Sequence, residues 1–70
     1  MKLEYDQQAD AIYLRLRDAD IGTTREVEDN LIIDLDGDGK MIGIELLFVS
    51  NYLTPDDIST FTVWNLRAIT

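Results

Sequence analysis

Residues 31–46 constrain the fold more than any other stretch of the chain. Leu31 to Asp36 and Met41 to Leu46 place apolar residues at every second position, and Gly37-Asp38-Gly39-Lys40 lies between them. Successive strand residues face opposite sides, and glycine tolerates the positive φ of a tight turn, so this pattern reads as a β-hairpin. With Asp38-Gly39 as a type I′ turn, Asp36 faces Met41, Leu35 faces Ile42, Asp34 faces Gly43, Ile33 faces Ile44 and Leu31 faces Leu46. One face is then Leu31, Ile33, Leu35, Ile42, Ile44 and Leu46, wholly apolar. The other holds Asp34, Asp36, Glu45, Ile32 and Met41. Slipping one strand by one residue mixes the two sets, so the patterning selects this register.

The same alternation runs through the preceding residues. Leu3 and Tyr5 alternate with Lys2 and Glu4 in a first strand. Ile12, Leu14 and Leu16 alternate with Tyr13, Arg15 and Arg17 in a second, after a polar connection from Asp6 to Asp10. Asp18 to Gly22 is a loop, Thr23 to Glu28 a short third strand, and Asp29-Asn30 a turn pair. Beyond Glu45 the period changes: Leu46, Leu47, Val49, Ser50 and Leu53 fit one or two helical turns. Thr54-Pro55-Asp56-Asp57 either caps a new helix or turns into a strand. Ser59 to Leu66, with Phe61 and Val63 alternating with Thr62 and Trp64, favours a strand. The expected fold is α+β: an antiparallel meander of four to six strands with one short helix near the C terminus. That helix can cover the all-apolar face. The mixed face, with Tyr13, Val27, Ile32 and Met41, is the expected dimer contact.

A chain of 70 residues makes a single small domain, residues 1–70, and domains of this size are marginal unless stapled or associated. Cysteine and histidine are both absent, which removes disulfides, thiolate metal sites and the usual general base near neutral pH. A net charge of −8 repels phosphate backbones and anionic lipid, so neither nucleic acid nor membrane is an expected partner. No long apolar stretch follows Lys2, and no window approaches the ~20 apolar residues of a membrane span. The cytoplasm is the expected location.

Asp34-Leu35-Asp36-Gly37-Asp38-Gly39, followed after five residues by Glu45, satisfies the calcium-loop pattern D-x-D-x-D-G-x₅-E. Calcium takes six to eight oxygens, the last glutamate supplying two, and the glycine folds the ligands inward. The flanks here are strands rather than the two helices such a loop joins. Asp34, Asp36, Asp38 and Glu45 are therefore candidate metal ligands whose residue types a hairpin turn and a solvated strand explain equally. The same acids, or Asp6 and Asp10, could be nominated as an acid–base pair. No nucleophile–base set or phosphate-cradling loop accompanies them, and no enzyme is expected. Tyr52, Phe61 and Trp64 are expected in the core, with interface anchors as the alternative.

Two segments resemble the signatures of one family. Tyr5 to Leu16 is similar to Y-D-x-x-A-D-A-x-Y-x-x-L, and Asp34 to Glu45 to D-x-D-x-x-G-x-x-x-G-I-E. Both belong to a family of short prokaryotic proteins known as a domain of unknown function. The resemblance covers most of residues 1–53. Leu47-Phe48-Val49 stands where the family has a more polar helix start. It implies a small α+β meander and brings no catalytic residues. It also implies that Asp34, Asp36 and Gly39 belong to a family hairpin, a pattern that does not include Asp38.

The leading functional expectation is a small acidic protein-interaction domain, homodimeric, with a basic protein as a possible partner. The alternative is a module binding calcium or another cation at Asp34, Asp36, Asp38 and Glu45. A carboxylate-based enzyme comes last. No cofactor is expected.

Overall fold

The computed structural model describes residues 1–64. The strands are β1 (Lys2–Asp6), β2 (Ala11–Arg15), β3 (Thr23–Glu28), β4 (Leu31–Leu35) and β5 (Met41–Leu47), followed by a 3₁₀ turn (Val49–Asn51) and helix α1 (Pro55–Ser59). They form one antiparallel sheet in the order β1-β2-β5-β4-β3. This is the expected α+β class, with two hairpin runs joined through the central strand β5. The connection from β2 crosses to the far edge, and its backbone is paired on the way. Leu16 N–H donates to the Ile42 carbonyl at 2.7 Å and Gly22 N–H to that of Leu35 at 2.8 Å. A Cβ on Gly22 would lie 2.9 Å from the Asp36 carbonyl carbon, so only glycine lets this connection pass the hairpin end so closely.

The central register is the expected one: Leu31 pairs with Leu46, Ile33 with Ile44 and Asp34 with Gly43. The turn end differs. Leu35 pairs with Met41, not Ile42, and the register shifts between Asp34 and Leu35. Asp36 N–H donates to the Lys40 carbonyl at 2.8 Å and Gly39 N–H to that of Asp36 at 3.0 Å, closing a three-residue loop. Gly39 alone in this loop has positive φ, at 83°, whereas a type I′ turn needs two such residues. The Asp36 carboxylate accepts the N–H groups of Asp38 and Lys40, both at 2.9 Å, and so favours the shorter loop over the expected type I′ turn.

Reading across the ladders gives continuous rows. Leu3, Leu14, Ile44 and Ile33 form one row, ending in Arg25 on β3. Tyr5, Ile12, Leu46 and Leu31 form a second on the same face, ending in Glu28. On the opposite face Glu4, Tyr13, Glu45, Ile32 and Glu26 form a largely acidic row.

Thr54 caps α1 as one of its two readings anticipates. Its hydroxyl accepts the Asp57 N–H at 3.1 Å while the Asp57 carboxylate accepts the Thr54 N–H at 2.9 Å, a reciprocal capping box, with Pro55 in the first turn. The expected strand from Ser59 to Leu66 is corrected over its described part. Ser59 ends α1, and Thr60 to Trp64 join no ladder; residues 65 and 66 lie outside the described residues. β-propensity selects an extended backbone, but a strand also needs a hydrogen-bonding neighbour.

Among the described residues, one sheet with little above it leaves a very small core. Among the described residues only Ala11, Ile42 and Val49 are buried apolar residues. Of the six residues on the expected apolar face, Ile42 is fully buried and the other five are half-buried. Tyr52, Phe61 and Trp64 are 46, 61 and 77% exposed, which corrects their expected place in the core. The described residues offer them no second layer to enter.

Candidate functional site

On the polar face the sheet carries one tight side-chain arrangement. Tyr13 stands on β2 and Asp34 on β4, with Gly43 of β5 between their strands. The Tyr13 hydroxyl donates to Asp34 Oδ2 at 2.8 Å, and Thr24 Oγ1 donates to Asp34 Oδ1 at 2.7 Å. The phenol lies directly over Gly43, where a Cβ would sit 2.2 Å from the Tyr13 hydroxyl oxygen. Burial, then the hydrogen bond to Asp34, raises the Tyr13 pKa above its ordinary 10.0. The arrangement bridges β2, β4 and β3 across β5. The glycine within strand β5 was its only sequence signal.

The four candidate metal ligands do not converge. Asp34 is bound to Tyr13 and Thr24. Asp36 accepts from Asp38 and Lys40 N–H through one oxygen and from the Arg17 guanidinium through the other. Asp38 is exposed at the loop, and Glu45 sits two pairs along the ladder beside Tyr13 and Ile32. Among the described residues no three acidic side chains are grouped so as to hold a cation.

The Asp36 carboxyl is held below its ordinary value of 3.8, first by the Lys40 N–H and then by the Arg17 guanidinium. A depressed folded pKa contributes stability above the unfolded value, lost as pH falls through the folded one. The melting midpoint should therefore fall as pH drops below about 3.8, and Asp36→Asn should flatten that slope in a series of thermal melts.

Asp6 and Asp10 shape backbone. Asp6 Oδ1 accepts the Ala9 N–H at 3.1 Å. Asp10 has φ 54°, and its two oxygens accept the Ser50 N–H at 3.0 Å and the Ser50 hydroxyl at 2.6 Å. Its carbonyl accepts the Val49 N–H at 3.1 Å, so the first hairpin turn anchors the 3₁₀ turn. Asp10→Ala should cost about 2 kcal/mol in urea unfolding, through the left-handed backbone and the lost bonds, and Asp10→Asn about half of that.

The apolar face has different potential. Leu3, Ile12, Leu14, Ile44 and Leu46 form the floor of an open groove of about 430 Å³, with Ile58 and Phe61 on its wall. A second groove of about 390 Å³ continues beneath Phe61 and Val63 along Leu3 and Leu14. The segment containing α1 thus stands over the β1 and β2 side without closing on it. Phe48, 52% exposed, is held at φ 56°, a backbone conformation that a bulky residue adopts only under constraint. The arrangement can bind apolar surface.

A family model described as "Protein of unknown function (DUF2283)" matches residues 2–50, from β1 into the 3₁₀ turn. Both sequence segments singled out above fall within that stretch. No curated protein and no solved structure matches the chain.

Proposed function

The chain belongs to the DUF2283 family, whose description assigns no activity, and we propose that it is a small, acidic, non-catalytic protein-interaction domain that docks through the apolar face of its sheet. The half-covered apolar rows carry this reading. A sheet with one apolar face is stable when that face is buried against another layer, and here α1 and the 3₁₀ turn supply only a fragment of one. An exposed apolar surface rimmed by charge is the usual mark of a protein contact. On the opposite side Glu4, Glu45 and Glu26 share a row and suit a basic protein surface. The cation-binding reading gains nothing comparable, since Asp34 and Asp36 are already committed to hydrogen bonds within the fold.

Hydroxyl-radical footprinting tests the docking face. The side chains of Ile44, Leu46 and Phe61 should be labelled several-fold more slowly in concentrated cell extract, or at high protein concentration, than in dilute pure protein. Equal labelling under all these conditions would remove the reading.

A further inference from the structure

Building on that docking reading, we infer that a second copy of this chain occupies the apolar face, in place of the mixed face expected from the sequence, stacked face to face about a two-fold axis parallel to β5. The strand order sets up the symmetry. β5 is the central strand of five, so an axis parallel to it sets Ile44 and Leu46 opposite their own copies and lays β3 of one copy over β1 of the other. The coverage is complementary under the same operation. The C-terminal segment lines its grooves with β1, β2 and β5, whereas Leu31, Ile33 and Leu35 of β4 line neither groove and remain half-exposed. The axis sets each copy's segment above the other's bare β4 side.

Charge favours this pairing. A chain of net charge −8 can associate with itself only where its acids point away from the contact. Stacking the apolar rows turns the Glu4, Glu45 and Glu26 rows outward, separated by more than the ~10 Å between packed sheets and hence beyond the ~8 Å screening length. The charges of the apolar rows, Arg25 and Glu28, stand on β3 at the rim, which leaves an apolar centre. Among the described residues Arg25 makes no ion pair, and Asp57 lines the groove over β1, β2 and β5, the half of the sheet over which the axis brings the partner's β3 with Arg25. The size is adequate too. Five strands of about five residues give a plan area of roughly 400 Å² per copy. With side-chain relief and the exposed Phe61 and Val63 added, both copies together reach the ~1,000 Å² of a specific interface.

The chain has no cysteine, so one introduced thiol reports only contacts between copies. In the full chain Ile44→Cys should be joined to dimers in high yield by a bis-maleimide long enough to span the segments between the sheets. Glu45→Cys, one residue along on the opposite face, should stay monomeric. Arg25→Glu, an exposed change that leaves the fold intact, should weaken dimerisation roughly tenfold. No cross-linking at either position, or equal cross-linking at both, would overturn the second copy as occupant. Those results combined with footprint protection in extract would leave the docking face standing with another protein on it. Those results without protection would remove both.

Discussion

Gly43→Ala is expected to lower the unfolding free energy by about 3 kcal/mol and the melting midpoint by roughly 10–20 °C. The new Cβ would lie 2.2 Å from the Tyr13 hydroxyl oxygen, 2.6 Å from the ring carbon bearing it and 3.1 Å from the Leu14 carbonyl oxygen. The phenol cannot rise clear of the sheet and keep its 2.8 Å bond to Asp34, so the substitution adds overlap and removes a hydrogen bond together. The cost is therefore shared with Tyr13. Tyr13→Val vacates the space above Gly43 at the price of the same bond. In the double variant the two penalties should sum to clearly less than their separate values, a coupling of at least 1 kcal/mol in a double-mutant cycle. Additive penalties would mean that Gly43 serves the strand in some way unconnected with Tyr13.

Ile42→Ala should be more damaging than its single missing side chain suggests, costing about 3–4 kcal/mol, with Ile42→Val costing about 1. Ile42 and Val49 are 0% exposed and Ala11 6%, and the described residues hold no other buried apolar side chain. A domain of this length has total stability on the order of 4–10 kcal/mol, so the alanine variant spends much of it on one cavity. Urea titration should show the midpoint falling with the slope unchanged. On the proposed pairing a second copy would bind only the folded form, so the midpoints of both variants should rise with protein concentration.

How much of this was legible in the sequence depended on the distance over which each feature is decided. The pairs Leu31–Leu46, Ile33–Ile44 and Asp34–Gly43 followed from period-two patterning, because a slip would have turned leucines to the polar side. The pair next to the turn, Leu35–Met41, did not. One carboxylate, Asp36, bonds two backbone N–H groups and shortens the loop, and alternation carries no trace of such bonds. The central place of β5 was hidden for a related reason. Each hairpin is local, but the choice of β2's second neighbour rests on the residue 16–22 connection crossing the sheet, with Gly22 passing against Asp36. At the C-terminal end, propensity favoured a strand through Phe61 and Val63 where the described residues make no ladder, because no free strand edge was brought beside them. For the candidate site, the acids were legible, but the partners that hold them were not. Asp34, Asp36 and Asp10 proved to be hydrogen-bond acceptors that fix strands, loop and 3₁₀ turn. The apolar face was visible as a pattern, but how little of it α1 covers was not, since five helical residues cannot roof five strands.

Sedimentation equilibrium of the intact chain, from about micromolar to about millimolar concentration, tests most directly that the docking face takes a second copy. The account predicts a weight-average mass that climbs from 8.0 kDa towards twice that value, with an Ile44→Asp chain remaining at the lower figure. A wild-type mass fixed at 8.0 kDa across the whole range would contradict it.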